Sequence, residues 1–429
     1  MRSARANHNQ IAVSAYARET AINTEQTLDL SLLAQVSDMI QNQFRRENNL
    51  DEMTGREEAT EIYDNGKTVA GSLSFPKAQP QHFAFLYAFA LGQIATAAAG
   101  DGYEHTITPI PGDLDAYRSI PSFTAAQRYG LTVFKERFAS MFVDSLTARF
   151  ARDAWVEISA QIMGTGKSEV SIVEEEITAK DDAVSLTLAA NGVAGGAGAG
   201  NAAARLDSIH SIKVELTSGV WTEVAFTAVS DATPAVITIV APGAATEDVT
   251  YKVLYAPTEA AWMTFPARVS QTPLRVSEVT LMIGGTWNGT TLAGGRELAC
   301  EVNSIDHQFN NNGAIEFCLG TDGAYASRYF REGRTQTLRL DRELRDYIIR
   351  NYIDQGETFG VSILAEGAVF DDPHKYQVLI VFPKCAVLQA PISANGKRLA
   401  EAGDLTVMED DTYGSVIVKV KDLVAAYAA

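Results

Sequence analysis

The sequence is poor in cysteine and has no long uninterrupted apolar run. It contains three cysteines in 429 residues, Cys300, Cys318 and Cys385. An odd number of cysteines, none at metal-ligand spacing, argues against a disulfide framework and a zinc site, so we interpret all three as buried structural thiols. The longest apolar stretch, residues 83–99, is broken by polar residues. It therefore predicts a core helix rather than a membrane span.

Positive charge is also scarce. The chain has 35 Lys and Arg against 53 Asp and Glu, a formal net charge of −18. Nucleic-acid binding requires clustered cations, so direct binding of DNA is not expected. An acidic surface can nevertheless let DNA pass without binding it. The N-terminal residues 1–8 include arginines but no following apolar stretch, so no secretory signal is predicted and synthesis in a cytoplasm is expected.

No segment predicts an active site. Residues 163–168 resemble the end of a phosphate-binding loop, but Gln161 stands where that loop needs glycine and a strand-like alternation follows. The acidic residues 174–176 and 181–182 lack a nearby histidine and indicate solvated charges. The histidines are scattered at His8, His82, His105, His210, His307 and His374. The sequence therefore predicts no catalytic, cofactor-binding or metal-binding residue, and no enzyme.

Length and texture predict several domains. With 46% hydrophobic and 21% charged residues, the chain has the composition of globular proteins, and its length suggests two to four domains. Residues 167–257 are low in aromatics and include a Gly/Ala run, 192–200, that we interpret as a flexible surface loop. Short alternating segments separated by turn residues predict a small antiparallel sandwich. These segments are 212–216, 224–229, 236–240 and 249–255.

Four features recur in the same order on either side of that segment. They are an extended stretch ending in Gln-Phe, a tight basic hairpin, an amphipathic helix and closing strands. In the first copy they are 36–44, 63–75, a helix with Phe83, Leu86, Tyr87, Ala90, Leu91 and Ile94, and 142–155. In the second they are 302–309, 330–340, a helix with Leu344, Tyr347, Ile348 and Tyr352, and 382–399. We interpret this order as a duplication with an insertion.

This order resembles the tail tube (major tail) protein of bacteriophages with long non-contractile tails, in a tandem-repeat form with an inserted β-sandwich. Residues 67–75, 382–388 and 395–399 carry the resemblance best. It implies a mainly β fold with flanking helices. The implied domains are a first tail-tube-like repeat at 1–166, a small immunoglobulin-like sandwich at 167–257 and a second repeat at 258–429. Proteins of this kind carry no catalytic residues, and none is transferred.

The resemblance also implies a function. Six units usually make a ring of this family, so a chain with two units would close as a pseudo-hexameric trimer, and rings would stack into a tube for the DNA genome. Expected partners are further copies of the chain, the tape measure protein, the tail terminator and distal tail proteins, with no membrane. Expected locations are the virion tail and, during assembly, the host cytoplasm.

Three finer expectations accompany this function. Residues 1–21 and 100–122 are expected to be irregular segments that reach the next ring. Deleting residues 2–15 is expected to leave folded protein that polymerises poorly. Carboxylates are expected to line the channel and to repel DNA phosphates.

Two alternatives remain open. The first is another self-assembling virion protein, such as a tail-completion ring, a sheath component or a capsid decoration trimer. The second is a carbohydrate-active β-sandwich enzyme, for which a cleft with two carboxylates and exposed aromatics would be diagnostic. Its platform would use Trp155, Trp221, Trp262 and Trp287, although their strand-like surroundings favour core or interface positions.

Overall fold

The chain is mainly β, as the resemblance implies. The structure is a computed structural model that describes residues 6–53, 55–110, 120–130, 134–244, 246–258, 261–298, 300–319, 324–396 and 398–429. Its residues group into two compact units. Unit 1 comprises Met1–Ala12, Ala126–Arg137 and Ser168–Pro266, and unit 2 comprises Val13–Ala125, Phe138–Lys167 and Ala267–Ala429.

The described strands are numbered in chain order. The first ten are β1 Gln10–Val13, β2 Leu30–Leu32, β3 Ile40–Asn48, β4 Ile62–Phe75, β5 Gly92–Ala99, β6 Gly102–Pro109, β7 Phe123–Tyr129, β8 Phe134–Ala151, β9 Glu157–Gly164 and β10 Ser168–Val170. The next seven are β11 Val173–Lys180, β12 Ser185–Thr187, β13 Ile209–Thr217, β14 Val220–Glu223, β15 Phe226–Val229, β16 Val236–Ile239 and β17 Asp248–Tyr255.

The C-terminal part continues the series. Its strands are β18 Val279–Ile283, β19 Thr286–Trp287, β20 Leu292–Ala293, β21 Arg296–Glu297, β22 Val302–Asn310, β23 Gly313–Glu316, β24 Arg328–Arg331, β25 Thr335–Glu343, β26 Phe359–Asp371, β27 His374–Gln389, β28 Ile392–Asn395, β29 Arg398–Met408 and β30 Ile417–Asp422. The α-helices of the described residues are α1 Pro80–Leu91, α2 Ala202–Asp207 and α3 Ile348–Gln355.

Unit 1 contains two small antiparallel sheets. One has the order β11-β17-β13-β14 and the other β12-β16-β15. Alternating side chains of both sheets share one apolar core, which includes Ile212, Val214, Ile237, Tyr251 and Val253. Strands therefore form where the alternating pattern predicted them. The domain limits themselves stay a prediction.

The Gly/Ala run of unit 1 is tied to a buried arginine. Arg205, on α2, donates from Nη1 to the carbonyl oxygens of Gly196 at 2.5 Å and Gly198 at 3.0 Å. Its Nε donates to the carbonyl oxygen of Val229 at 3.2 Å. These bonds satisfy a guanidinium that would otherwise be costly to bury, and they hold the glycine segment against β15.

Eight strands of the larger sheet in unit 2 lie side by side, and we call them the eight-stranded sheet. Their order is β3-β4-β9-β8-β22-β25-β29-β27. We call β3, β4, β9 and β8 the first strand set, and β22, β25, β29 and β27 the second strand set. The sets meet where β8 pairs with β22, with Leu146 opposite Phe309. β28 prolongs β27 along β29, while β26 and β30 also pair with β27.

The two strand sets share a register shift in their first hairpin. β3 pairs with β4 through Phe44 opposite Lys67, and the register then shifts by one residue to Arg46 opposite Asp64. In the second set β22 pairs with β25 up to Asn310, and β23 continues with β24 after the same shift, starting with Gly313 opposite Arg331. Arg46 of the first set therefore corresponds to Gly313 of the second.

A second shared shift lies between the last two strands of each set. β8 carries an extra residue between Val143 and Ser145, and β27 carries one between Val387 and Gln389. Aligning the sets on both shifts makes Phe44 correspond to Asn311 rather than to Phe309. The extended stretch, the helix and the closing strands predicted from the sequence occur in both halves, whereas the residue pairing is offset from the Gln-Phe match.

Helix α1 is buried on every side, which differs from the predicted amphipathic stripe. All twelve of its residues are buried. It ends at Leu91 because Gly92 adopts φ +88° and its N–H bonds the carbonyl oxygen of Ala88. Residues 92–99 then form β5, so the predicted core helix over 83–99 is wrong in its second half, and Ile94 lies on a strand. By contrast, α3 has one buried residue, Ile349.

The predicted basic hairpins are also wrong. Residues 63–75 lie within one continuous strand, β4, because Gly66 occupies the register shift rather than a turn. Residues 330–340 connect β24 to β25, which pair with different partners. Glycine beside a basic residue is compatible with a bulge as well as with a turn. At Gly66, the pairing of β4 with β3 produces a bulge.

The two segments expected to be irregular are partly strands. Residues 102–109 form β6, which pairs with β5 and β30, and residues 111–119 lie outside the described residues. In the N-terminal segment, whose residues 1–5 are likewise outside, Ile11, Ala12 and Val13 are buried. Deleting residues 2–15 would remove this buried strand, so the expectation that such a variant folds normally no longer follows.

Burial of the cysteines was predicted correctly for one of three. Cys385 on β27 is buried, whereas Cys300 and Cys318 are exposed. Burial raises the pKa of the Cys385 thiol to about 12, because the thiolate would lose its hydration.

Candidate assembly surface

The described residues contain no group of three or more His, Cys, Asp or Glu side chains placed to hold a metal. Residues 163–168 run from the end of β9 into β10, so a strand rather than a helix follows the glycines. Of the acidic run on β11, Glu176 pairs with Lys252 at 3.2 Å, and Glu175 accepts hydrogen bonds from the Ala189 amide and the Tyr255 hydroxyl. These carboxylates have structural partners.

The buried histidines of the described residues, His82, His105 and His307, all lie in unit 2, and burial shifts the pKa of His82 and His307. His82, in the first turn of α1, accepts a hydrogen bond at Nδ1 from the Gln79 amide at 3.2 Å, and burial lowers its pKa to about 3. His307 Nδ1 lies 2.8 Å from the Tyr87 hydroxyl, and burial lowers its pKa to about 4. Both imidazoles are therefore neutral in the folded protein at physiological pH. Neither histidine borders the 790 Å³ cavity described below.

A cavity of about 790 Å³ lies beside the end of β8. Its lining includes Arg152, Asp153, Trp155, Arg275 and Cys300. Among the lining residues that the structure describes, Asp153 is the single carboxylate. The Arg275 guanidinium lies over the Trp155 ring, 5.7 Å from its centroid. A glycoside-cleaving cleft requires two facing carboxylates, and this lining does not provide them.

The other tryptophans have structural partners. Trp287 is buried against Leu292, Val381 and Ile417. Lys252 covers Trp221 at 4.6 Å, and Arg137 covers Trp262 at 5.1 Å, within cation–π range. Trp287 is therefore a core residue, as favoured from sequence, whereas Trp155, Trp221 and Trp262 are half-buried.

One face of the eight-stranded sheet is polar across its width. Directly paired residues point to the same face, and one row across six strands consists of small hydroxyl and amide side chains: Ser74, Ser159, Thr147, Gln308, Thr337 and Thr406. The residues between them point to the opposite, buried face, as Ile305, His307 and Phe309 do on β22.

The next row on the same face alternates in charge. Across β9, β8, β22, β25 and β29 it runs Glu157, Arg149, Asp306, Arg339 and Asp404. Arg149 lies 3.6 Å from Asp306, and Arg339 lies 3.9 Å from Asp404. Burial raises the pKa of Asp306, and the two arginines oppose this shift. Each arginine of this row therefore has acidic neighbours that offset its charge.

Next to the junction of β8 with β22, a segment of the second strand set packs on the first strand set. We define the second arm as residues 311–334, which contain β23 and β24, and the first arm as the corresponding residues 44–67. Tyr329 of the second arm stacks on Phe142 of β8, with ring centroids 3.9 Å apart. The Gly313 amide donates to Asp144 Oδ1 at 2.8 Å. Tyr329 is thereby 3% exposed.

The first arm meets the second arm at Arg45, whose guanidinium lies 4.8 Å from the centroid of the Phe317 ring, and at Lys67, whose amide donates to the carbonyl oxygen of Ala324 at 3.1 Å. It is held together internally: Asn49 Nδ2 donates to Thr60 Oγ1 at 2.9 Å, and Arg46 lies 3.6 Å from Asp64. Yet Phe44 is 57% exposed and Ile62 72% exposed. Leu50, Met53 and Tyr63 of the same arm are exposed as well, and a group of exposed apolar side chains on one segment marks an interaction surface.

Comparison with known families decides the class of protein. The family model described as phage tail tube protein matches residues 10–239, just over half of the chain. The chain belongs to the phage tail tube protein family. No curated protein matches it. The family match includes the first strand set and continues into the segment that we interpret as an insertion.

Membership of the tail tube family makes the chain a structural protein of the bacteriophage tail, as the resemblance implied. Helices in the described part of the chain are all too short or too polar to cross a bilayer. For a tail tube family member, the exposed arm and the polar sheet face are the features that require a functional explanation. Sequence reasoning missed both, because neither has a motif.

Proposed function

We propose that this chain forms the tail tube itself. Three copies close into a ring of six strand sets, rings stack, and the DNA genome passes through the central channel into the host. The observation that carries the proposal is the junction of β8 with β22, where one strand set continues into the next as a single sheet. Repeating that junction between chains produces a closed sheet without free edges.

The shared order and register shifts of the two strand sets support a tandem duplication. Two sets in one chain reduce the subunits of a six-set ring to three, which gives a trimer with pseudo-sixfold symmetry. The sandwich of unit 1 is an addition that we place on the tube exterior. The partners remain those expected from the family: the tape measure protein, the tail terminator and the distal tail proteins, with assembly in the host cytoplasm.

The polar sheet face is suited to line the channel. Its hydroxyl and amide side chains offer no fixed charge, and Arg149 and Arg339 are offset by neighbouring carboxylates. DNA phosphates bind tightly where cations are clustered and unpaired. We therefore infer that charge compensation, together with the chain's net charge of −18, lets DNA slide. This refines the expectation of a lining made mainly of carboxylates.

Electron microscopy of the purified chain at high concentration tests the proposal. We expect hollow tubes or three-lobed rings with a central hole, and light scattering at lower concentration should identify the trimer. Solid trimeric knobs would point instead to a capsid decoration protein. A contractile outer layer around a separate tube would point to a sheath component. Either result would overturn the tail tube assignment of this chain.

A further inference from the structure

The contact between the strand sets within the chain is a template for the contact between chains. At the internal junction, Ser145 of β8 lies opposite Asn310 of β22. The second arm then folds over the first strand set, where Tyr329 packs on Phe142, with Ile120 and Met163 nearby. Both the strand pairing and the arm contact follow from one set lying beside another.

The shared register shifts identify the same positions at the other end of the sheet. On the receiving side, Asp144 of β8 corresponds to Leu388 of β27, and Thr165, just after β9, corresponds to Met408 of β29. Asp144 and Thr165 accept hydrogen bonds from the amides of Gly313 and Ala326 of the second arm. Their counterparts Leu388 and Met408 are apolar and are 69% and 37% exposed.

On the arm side, the same alignment pairs Tyr329 with Ile62 and Asn311 with Phe44. Tyr329 and Asn311 are buried at the internal junction, whereas Ile62 and Phe44 are exposed. Four exposed apolar residues therefore occupy the positions that, in the other half of the chain, form a closed contact. Two lie on the first arm and two lie on the edge of the second strand set.

We propose that the first arm of one chain docks on the second strand set of a second copy of this chain, so that Phe44 and Ile62 cover Leu388 and Met408. In this arrangement β3 continues the sheet beside β27 of its neighbour, with Gln43 opposite Gln389, as Asn310 lies opposite Ser145 within the chain. This inference rests on the proposed ring and specifies its interface. The occupant is a second copy because the internal junction already has the matching geometry.

Directed disulfide formation tests the register. The parent is Cys300→Ser/Cys318→Ser, which removes the exposed thiols and leaves the buried Cys385. Gln43→Cys and Gln389→Cys are introduced in separate chains, which are mixed and oxidised. Directly opposite residues meet the distance requirement of a disulfide. We expect a covalent dimer in the mixture, at least tenfold above either variant alone.

The matched control replaces Gln389→Cys with Ser393→Cys, an exposed residue further along the same edge. Mixed with Gln43→Cys, it should give at most a tenth of the crosslinked product. Rings of the parent together with equal crosslinking of both pairs would overturn this inference and leave the proposed function standing. Absence of rings and of crosslinks at high concentration would overturn both.

The arm contact has its own test. Ile62→Asp should raise the concentration needed for ring formation at least tenfold, because it places a charge in an apolar contact. Leu50→Asp is the control, since Leu50 lies on the same arm and is similarly exposed, at 59%, but its counterpart Phe317 lies against Arg45 and outside the packed cluster of Tyr329 and Phe142. Circular dichroism of both variants checks that they fold. Equal effects of the two substitutions would overturn the arm contact.

Discussion

Arg342 on β25 lies opposite Glu401 on β29, at the position where the first strand set places Phe75 opposite Ile158. Arg342 Nη2 donates to Glu401 Oε2 at 2.8 Å, and both side chains are almost fully buried. The second strand set therefore has an ion pair where the first has two apolar side chains. Asp346 and Glu301 lie on the same guanidinium, at 2.9 and 3.6 Å.

Breaking this pair should destabilise the protein more than replacing it. Arg342→Met leaves the Glu401 carboxylate buried without its cation, which should cost about 3–5 kcal/mol. Arg342→Phe/Glu401→Ile, which copies the first strand set, should lose less than either single change. Urea unfolding at a protein concentration below assembly measures the difference. Arg339→Met, which removes an exposed arginine, is the control and should cost less than about 1 kcal/mol.

Acid should destabilise the fold through its buried imidazoles. The pKa values of His82 and His307 are lowered to about 3 and about 4, whereas in the unfolded chain histidine titrates near about 6.5. Below that value the unfolded chain gains protons that the folded chain does not. The free energy of unfolding should then fall by up to about 1.4 kcal/mol per pH unit for each imidazole.

Asp29 acts in the opposite direction. Burial raises its pKa to about 6, so between about pH 6 and about pH 4 the folded chain binds a proton that the unfolded chain does not. Burial also raises the pKa of Asp306, but the pKa values of the two histidines are shifted further than those of the aspartates, so stability should decrease as the pH falls from about 6.5 to about 4.5. Urea unfolding across this range measures the slope, which His82→Gln should reduce. An unchanged slope in that variant would show that His82 does not stay neutral.

Gly166 should not tolerate a side chain. Its φ is +101°, and a Cβ atom there would lie 2.0 Å from the carbonyl oxygen of Lys67. Gly166→Ala should therefore destabilise the fold by at least about 1–3 kcal/mol. The control is Gly333→Ala, because an added Cβ there meets no atom within 4 Å. Thermal unfolding should separate the two variants, and similar melting temperatures would contradict the backbone geometry at Gly166.

The thiols should react in two classes. Cys300 and Cys318 are exposed, and Cys385 is buried with its pKa raised to about 12. Because thiol reagents attack the thiolate, two thiols per chain should react in the native unassembled protein and the third after denaturation. Cys300→Ser should lower the native count by one, whereas Cys385→Ser should leave it unchanged. A native count of three would place Cys385 in contact with solvent.

Removing carboxylates from the polar sheet face should create affinity for DNA. Asp306→Asn/Asp404→Asn leaves Arg339 without a facing acid and Arg149 facing Glu157 alone, so assembled rings should retain DNA at low salt and release it as salt rises. Glu174→Gln/Glu176→Gln changes the net charge equally, on β11 of unit 1, and should not bind. Co-sedimentation of rings with DNA measures both. Equal retention by the two variants would indicate a general charge effect.

The sequence was most informative where local pattern and tertiary pairing agree. The alternating segments of unit 1 became strands because each presents one apolar face to a shared core. The predicted helix over 83–99 is too long because apolar composition alone does not distinguish the end of a buried helix from a buried strand. Gly92 marks the boundary, and pairing with β6 makes residues 92–99 a strand.

The assembly surface could not be predicted in the same way. Phe44 and Phe309 look equivalent in sequence because each follows glutamine, yet the register shift places Asn311 at the position of Phe44. The exposure of Leu388 and Met408 indicates an interface only because their counterparts, Asp144 and Thr165, contact the second arm. That correspondence depends on strand register, which is determined by long-range pairing.

The β8–β22 junction also affects how a ring would grow. In a ring of six strand sets, half of the joints would form during folding of the individual chains, at the high effective concentration of segments in one polypeptide. Only three joints would then depend on encounters between molecules. Rings of five or seven sets could not form, because each chain contributes two sets. The covalent link between the two sets of a chain would therefore restrict the diameters that the channel can adopt.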